Sequence, residues 1–425
     1  MNSIALTHRL ATTRNLPRLS RAAGFWAAAF SFLVLTAFAT APSALYGLYA
    51  QEQGLSPITI TIVYAVYATG VVVSLLLAGH VSDWYGRRAV LIPGLVLAGV
   101  AALVFLLWQS LPGLLVARVL TGVALGASVA TATAYIADLD AGPDGAPSRR
   151  AGIVATIANI GGLALGPLMA GALAEYTPDG LTLPYVILLA GLLVGAVVVV
   201  LSPEGREPVR PRPAYRPQRL RAPAGARGQF IAASTAAFLV FAVGGLFAGL
   251  AGSFLAGPLH HPSAVLTGFA IFLNFGTGVL VQTTTTHWPA QKLIAAGLVP
   301  TIVGLIVLVA SAWTSPASLA LFLIGGAVIG LGGGAMIRGS LSVVISTTHP
   351  ADRAGALATY FAAGYVGVSL PVIGLGLALQ QLSPRVTLLI FAALVGAGFL
   401  AAAPVLTGHR STPIRTDTNG GGAAR

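Results

Sequence analysis

The sequence predicts an all-α membrane protein with 12 transmembrane helices in two six-helix bundles and both termini in the cytoplasm. Three observations support this fold class: the apolar composition, the order of the apolar runs, and the distribution of the basic residues. Hydrophobic side chains make up 56% of the 425 residues and charged side chains only 8%, whereas soluble domains carry about 25% charged residues. The mean hydropathy is +0.87. Such a chain cannot cover its surface with groups that favour water, so we expect a lipid bilayer around it.

Twelve apolar runs are long enough to cross about 30 Å of hydrocarbon at about 1.5 Å per residue. The first six are residues 24–49, 58–78, 89–109, 112–137, 151–174 and 183–201, and the second six are residues 230–256, 263–285, 291–312, 317–345, 354–380 and 386–407. We number these predicted helices 1 to 12 in chain order. Between the two sets, repeated arginines and prolines are typical of a solvated linker. The predicted regions are therefore an N-terminal tail (1–23), a first bundle (24–201), a linker (202–229), a second bundle (230–407) and a C-terminal tail (408–425).

The basic residues set the predicted orientation. With both termini inside, Arg385 would lie outside, Arg118 and Arg338 would lie in the bilayer, and the other basic residues would face the cytoplasm. Cytoplasmic loops of multi-pass proteins carry such an excess of lysine and arginine. The formal net charge of +12 therefore indicates cytoplasmic loops and not a nucleic-acid partner.

The sequence offers few groups for catalysis or metal binding. It has no cysteine, which excludes disulfides, thiolate metal sites and cysteine nucleophiles. All histidines lie in predicted tails, loops or helix ends. The carboxylates near the membrane also lie at helix ends or in loops, and they are Glu52, Asp83, Asp138, Asp140, Glu175 and Asp179. We therefore predict no enzyme activity, no metal site and no cofactor.

The loop between predicted helices 2 and 3 carries the strongest motif. It reads GHVSDWYGRRAVL from Gly79 to Leu91. Gly79 allows two helices to approach closely, and Gly86 permits a tight turn. The Asp83 carboxylate can accept hydrogen bonds from arginines or from a helix N-terminus. An ordinary basic loop is the alternative interpretation.

This loop resembles the signature of the major facilitator superfamily, G-x-x-x-D-x-x-G-R-[RK]-x-x-[LI], at every specified position. The resemblance implies a secondary transporter with six helices in each half. It also implies that Asp83 engages the start of helix 11 and that Arg87 pairs with Asp138 at the end of helix 4. The cytoplasmic gate implied in this way contains Gly79, Asp83, Gly86, Arg87, Arg88, Asp138 and Arg150.

Two further elements resemble the same superfamily. In helix 4, Arg118 precedes Gly122 and Gly126, which matches the pattern R-x-x-x-G-x-x-x-G and predicts a small-residue contact face. Arg118 either takes part in coupling or substrate binding, or extends its charge to the outer surface. Helix 5 resembles the G-x-x-x-G-P-x-x-G-G element of drug and metabolite exporters, although Ala170 replaces one glycine. This element predicts a kink formed by Gly162, Gly166, Pro167 and Gly171.

Polar and aromatic residues inside the spans are the candidates for the transport pathway or for coupling. Asn274, Thr277 and Gln282 share one face of helix 8 by their spacing. The full set of candidates is Arg118, Asn159, Asn274, Gln282, Arg338, Tyr360 and Tyr365. Contacts between helices are the alternative role for each of them. Tyr46 and Tyr49, near the outer end of helix 1, are expected in the aromatic belt at the membrane surface.

The resulting hypothesis is a secondary transporter that moves a small organic solute across a bacterial inner membrane by alternating access. The helix 5 element favours export of a drug or metabolite, and proton coupling stays open because no carboxylate lies inside a span. An uptake permease or a uniporter is the alternative within this fold, and a non-transporting assembly or sensor protein is the alternative from another class. The expected partners are the substrate, the lipid bilayer and, with coupling, protons. We expect a monomer.

Overall fold

The computed structural model describes residues 18–78, 81–142, 148–206, 215, 217–218, 220–223 and 225–408. Within this part of the chain, 12 helices are long and apolar enough to cross a membrane, which confirms the 12 predicted spans, while the cytoplasmic position of both termini stays a prediction. Helices 1 to 6 span Arg21–Gln53, Pro57–Ala78, Arg87–Leu107, Leu111–Leu139, Arg149–Tyr176 and Leu183–Leu201. Helices 7 to 12 span Arg227–Ala256, Ala264–Thr284, Ala290–Trp313, Leu319–Thr347, Arg353–Gln381 and Pro384–Thr407. Gly79 of the predicted gate lies outside the described residues.

The helix ends define two sides of the molecule. Helix 6 ends and helix 7 begins on the side that carries the linker, which we call the linker side. Helices 2, 4, 8, 10 and 12 also end there, and helices 1, 3, 5, 9 and 11 begin there. We call the opposite side the distal side. The Asp83 loop and the start of helix 11 therefore lie on the linker side, as the predicted topology requires.

Local sequence signals explain many of the helix starts. A serine side chain accepts a hydrogen bond from the backbone N–H three residues later, which satisfies a donor that the helix leaves free. Five helices begin in this way, after Ser20, Ser148, Ser263, Ser318 and Ser383. Helices 4, 6 and 12 have proline in their first turn, where the missing N–H has no helical partner to lose.

Small residues determine how closely helices 2 and 4 pack. A Cβ added at Gly122 would lie 2.0 Å from the Tyr67 carbonyl oxygen, and a Cβ added at Gly126 would lie 2.5 Å from that of Val71. The two helices therefore meet backbone to backbone, which is the contact that the predicted small-residue face provides. Helices 9 and 10 of the second half also meet through glycines.

The two halves contact each other mainly through helices 2 and 11 and through helices 5 and 8. The contacts toward the distal side are close: a Cβ at Gly376 would lie 2.3 Å from the Thr61 hydroxyl, and a Cβ at Gly268 would lie 2.3 Å from the Pro167 carbonyl oxygen. On the linker side, a cavity of about 420 Å³ lies between helix 5 and helices 8 and 10. The described interface is therefore tightly packed on the distal side and indented on the linker side.

Candidate functional site

Arg87 is the centre of a charged network at the linker-side end of the first half. Its side chain is 7% exposed and donates hydrogen bonds to Asp83 Oδ1 at 2.6 Å and to Asp138 Oδ2 at 2.8 Å. A third bond reaches the Ser82 hydroxyl at 2.9 Å. Two carboxylates around one largely buried guanidinium offset the cost of burying its charge. The network joins the loop after helix 2, the start of helix 3 and the end of helix 4.

The Arg87–Asp138 pair is the one that the family resemblance implies, whereas Asp83 is placed differently. Among the described residues, Asp83 forms its ion pair with Arg87 of its own half, and its side chain is 53% exposed. The resemblance instead implies contact between Asp83 and the start of helix 11. Asp83 is therefore paired within the first half, and the ion pairs of the described residues do not join it to helix 11.

Glu204, which follows helix 6 inside the predicted linker, also belongs to this network. Its Oε1 accepts hydrogen bonds from the backbone N–H groups of Arg87 at 2.7 Å and Arg88 at 3.4 Å. It thereby caps the start of helix 3, where the helix dipole favours negative charge. Gly86 has a φ of 98°, which favours glycine, and a Cβ there would lie 3.2 Å from the Glu204 carboxyl carbon. Sequence reasoning missed Glu204, and the available signal was an acid directly after an apolar span.

The other two arginines of the predicted gate fasten helices of the first half. Arg88 donates a hydrogen bond to the Val200 carbonyl oxygen near the end of helix 6. Arg150 pairs with Asp140 at 3.7 Å and lies over the Phe25 ring of helix 1, 4.6 Å from its centroid. Of the described residues of the predicted gate, Asp83, Arg87 and Asp138 form one ion-pair network, whereas Arg150 makes separate contacts at the same end of the first half.

Part of the linker connects the two halves on the linker side. The Tyr215 hydroxyl donates to the Leu77 carbonyl oxygen at the end of helix 2, at 3.0 Å. The Arg221 N–H donates to the Thr359 hydroxyl at 3.0 Å, and the Arg221 guanidinium pairs with Asp352 just before helix 11. The prediction of a solvated linker misses these contacts, since the described linker residues bridge helices 2 and 11.

Arg118 is fully buried in helix 4, with 0% of its surface exposed. Its guanidinium donates to the carbonyl oxygens of Ala39 at 2.7 Å and Tyr64 at 3.4 Å, and it lies 4.5 Å from the centroid of the Tyr67 ring. Its Nε has no hydrogen-bond partner among the described residues, and no described carboxylate forms an ion pair with it. The alternative in which Arg118 extends to the outer surface is therefore wrong.

Tyrosines from both halves lie around Arg118. Tyr64 and Tyr67 of helix 2 contact each other, and the Tyr67 ring centroid lies 6.5 Å from that of Tyr365 in helix 11. Tyr46 is 4% exposed and Tyr49 is 0% exposed, so the expectation that they belong to a surface aromatic belt is wrong. Tyr46 contacts the Tyr64 ring of helix 2, and the Tyr49 hydroxyl donates to the Tyr185 hydroxyl of helix 6 at 3.2 Å, so both side chains pack against other helices of the first half.

Helix 5 is irregular where the kink is predicted. The turn Ile157–Gly161 is a π-helix, which is frequent at functional sites. Pro167 cannot donate to the carbonyl oxygen of Leu163, four residues earlier. The Thr40 hydroxyl of helix 1 donates to that oxygen at 3.1 Å, and Thr36 donates to a carbonyl oxygen of the π-helical turn at 2.9 Å. Helix 1 therefore satisfies backbone groups that would otherwise lack partners in a membrane.

The glycines of the helix 5 element bring its backbone against both halves. A Cβ at Gly162 would lie 1.9 Å from a hydroxyl of helix 1, and a Cβ at Gly166 would lie 2.1 Å from the Ala37 carbonyl oxygen. Further along, a Cβ at Gly171 would lie 2.2 Å from the Ala264 carbonyl oxygen of helix 8. Helix 5 is thus the element through which the first half packs most closely on helix 8.

Glu175, in the last turn of helix 5, joins the halves on the distal side. Its Oε2 accepts hydrogen bonds from the Ser263 hydroxyl at 2.6 Å and from the Val265 N–H at 2.9 Å. Both donors lie at the start of helix 8, where negative charge is favoured. Local sequence patterns do not pair helix 5 with helix 8, so sequence reasoning did not give Glu175 a partner.

Two of the predicted pathway residues in the second half are used in packing. Asn274 is buried and donates to the Gly326 carbonyl oxygen of helix 10 at 3.0 Å. The Tyr360 hydroxyl is buried and lies 2.8 Å from the Ser340 hydroxyl, also in helix 10. These contacts favour the alternative role, in which the polar groups hold helices together.

The remaining candidates lie near the interface between the halves. Gln282 and Arg338 line the linker-side cavity, and Asn159 lies half-buried in the π-helical turn of helix 5. Tyr365 contacts Tyr67 of the opposite half. Within the described part of the chain, no group of three histidine or acidic side chains is placed to hold a metal ion.

Comparison with known proteins gives one family and one fold. The family model of the Major Facilitator Superfamily matches residues 25–314. The bacillibactin exporter of Bacillus subtilis is 28% identical over 131 residues, which are 30% of this chain and 32% of that protein. The inner membrane transport protein YnfM of Escherichia coli is 31% identical over 88 residues, which are 21% of each chain. The matched segments thus span about a third or less of these relatives.

Solved structures of other transporters resemble this one over nearly the whole chain. The crystal structure of the peptide transporter POT superposes with a TM-score of 0.73 and 14% identity, and it covers 92% of this chain and 96% of that one. At this identity the likeness shows a common fold.

Proposed function

Because the chain belongs to the Major Facilitator Superfamily of transporters, we propose that it exports a small organic solute that carries an anionic group. The observation that carries this proposal is Arg118, a fully buried cation that has no ion pair with a described carboxylate. Alternating access is the expected mechanism for two six-helix halves that meet around a central site.

The surroundings of Arg118 suit an anion with an apolar body. A buried charge is stabilised when an opposite charge arrives, so a carboxylate or similar group on the solute would interact favourably with the guanidinium. The rings of Tyr67 and Tyr365 come from opposite halves and lie 6.5 Å apart. They offer aromatic surface for the rest of the solute. Since Arg118 is enclosed in this structure, the solute would reach it only when the halves separate.

The direction of transport rests on the orientation of the chain. We assign the linker side to the cytoplasm because the arginine-rich linker lies there. The cavity between the halves then faces the cytoplasm, and the closed distal side faces outward. The exporter-like element of helix 5 and the similarity to a bacillibactin exporter support outward transport. The similarity to an inner membrane protein supports a bacterial inner membrane as the location.

The charged network around Arg87 is proposed to act as a gate. Asp83 is half-exposed and bound within its own half here, so it is available to contact helix 11 when the cytoplasmic side closes. We expect Asp83→Asn to leave expression intact and to reduce transport sharply. Asp179→Asn, which removes the same charge from a distal loop, is the matched control. Normal turnover in Asp83→Asn would refute the gate.

An uncoupled uniporter is the second candidate, and the position of the acids favours it. No described carboxylate lies in the middle of a span, so the usual intramembrane proton carrier is lacking in this part of the chain. Transport rates in proteoliposomes with and without an imposed pH gradient distinguish a proton-coupled exporter from a uniporter. Equal rates under both conditions would exclude obligatory proton coupling.

The decisive experiment compares solutes of different charge. Everted vesicles with wild type, Arg118→Ala, Arg118→Gln or Arg385→Ala are screened for uptake, which corresponds to export from the cell. Arg385 is an exposed distal arginine and serves as the matched control. We expect both Arg118 variants to reduce transport of anions about tenfold or more, because a charge-assisted contact contributes about 1.5–3 kcal/mol. Equal flux of anions in wild type and Arg118→Gln would refute the proposed substrate class.

A further inference from the structure

The cavity on the linker side is lined by both halves of the molecule. Its volume is about 420 Å³, which falls within the range of small-molecule sites. Helix 5 contributes Arg149 from its first turn, helix 8 contributes Gln282, and the turn after helix 8 contributes Thr286 and His287. Helix 10 contributes Arg338. Arg118 lies toward the distal side, seven residues from the start of helix 4, whereas this cavity lies on the linker side.

The charges in this cavity are of one sign. Two arginines, Arg149 from the first half and Arg338 from the second, face it, and its described lining contains no carboxylate. Like charges across a cavity repel each other. The neighbouring Arg150 already pairs with Asp140, whereas the ion pairs of the described residues do not include Arg149 or Arg338. The site therefore carries positive charge that an anion would neutralise.

The donors in the cavity are held in place. Arg338 donates to the carbonyl oxygens of Gln282 at 2.8 Å and Thr286 at 3.1 Å, which fixes its guanidinium at the end of helix 8. An arginine has five N–H donors, so these two bonds leave others for a ligand.

We propose that this cavity binds a phosphate group, which bridges Arg149 of the first half and Arg338 of the second. Guanidinium forks match the oxygens of phosphate in pairs. The phosphate belongs either to a soluble compound or to the headgroup of a phospholipid. In both cases the bound anion replaces repulsion between the halves by attraction to a shared ligand, and it holds the linker-side mouth at its present width. This binding does not depend on which solute the protein transports.

The test measures thermal unfolding of the full-length protein by tryptophan fluorescence, because a ligand that binds the folded state raises the melting temperature. In the first arm, protein in alkyl maltoside micelles, which contain no phosphate, is titrated with inorganic phosphate against chloride of equal ionic strength. In the second arm, phosphatidylglycerol is added to the same micelles. The variants are Arg149→Ala and Arg338→Gln, where glutamine keeps amide donors for the helix 8 carbonyls. Arg385→Ala is the control.

We expect wild type and Arg385→Ala to be stabilised, and each site variant to need about tenfold more ligand for the same shift. Stabilisation by inorganic phosphate identifies a soluble source, and stabilisation by phosphatidylglycerol alone identifies a lipid source. Absence of stabilisation in both arms would overturn the site. A response of either site variant equal to that of Arg385→Ala would overturn it as well. Neither result depends on transport, so this test can fail while the exporter proposal holds, and the exporter proposal can fail while this site holds.

Discussion

The distal contact of Glu175 leads to a prediction about the balance between two conformations, one open on the linker side and one open on the distal side, which we call distal-open. Its carboxylate accepts two hydrogen bonds, at 2.6 Å and 2.9 Å, from the start of helix 8 in the opposite half. Hydrogen bonds to a charged group contribute about 1.5–3 kcal/mol, and the exposure of Glu175 to solvent reduces this to about 1 kcal/mol. Glu175→Gln keeps the shape and one acceptor oxygen but removes the charge. Since about 1 kcal/mol changes a ratio of populations about fivefold, we expect the distal-open population to rise about fivefold.

Pulsed electron paramagnetic resonance can measure this change directly, because the chain has no native cysteine to interfere with labelling. Spin labels at Gln51 and Arg385, exposed in opposite halves on the distal side, report the distance between the halves. Asp179→Asn is the control, since it removes a carboxylate from the loop that follows helix 5. An unchanged distance distribution in Glu175→Gln, or an equal shift in Asp179→Asn, would show that Glu175 does not hold the distal side closed.

The other predictions concern helix 5 and its contact with helix 1. Thr40→Val removes the donor to the Leu163 carbonyl oxygen, and we expect a loss of about 1 kcal/mol of unfolding free energy. This loss should be smaller in a Pro167→Ala background, because residue 167 then has its own N–H to donate to that oxygen. A double-mutant cycle of unfolding free energies measures the difference. Gly166→Ala places a methyl group 2.1 Å from a backbone oxygen and should lower the melting temperature and the transport rate. Gly47→Ala, which meets nothing within 4 Å, should be close to wild type in the same assays.

Most of the fold could be predicted because the bilayer imposes simple rules on the sequence. Each span needs about 20 apolar residues, so runs such as residues 183–201 define helices without knowledge of their neighbours. The small-residue face at Gly122 and Gly126 was predictable for a similar reason, since only a missing side chain allows backbones to approach. The contacts of the linker were not predictable, because Tyr215 and Arg221 are polar residues whose partners lie on distant helices.

The site was predictable where one local motif contains both partners, or where a family pattern supplies the second. Arg87 and Asp83 lie in one loop, and the resemblance supplied Asp138. Glu204 had no such pattern, since its partners are backbone N–H groups across a tertiary contact. The position of Tyr46 depends on which face of helix 1 is enclosed by other helices. In the part of helix 1 that carries Tyr46, polar and apolar residues are not separated onto different faces, so the sequence does not indicate which face is enclosed.

The two arginine sites divide the proposed route of an anion into two parts. Arg118 lies seven residues from the distal start of helix 4, about 10 Å along its axis, and Arg338 lies nine residues from the linker-side end of helix 10, about 14 Å along that axis. Because no described acid lies between them in a span, an anion meets attraction at both levels and no fixed repulsion on the way. Arg118 is enclosed while the linker-side cavity is accessible. A transported anion would therefore pass from the cavity to Arg118 only when the halves move, whereas a phosphate bound between Arg149 and Arg338 would hold the halves at their present separation and slow that movement.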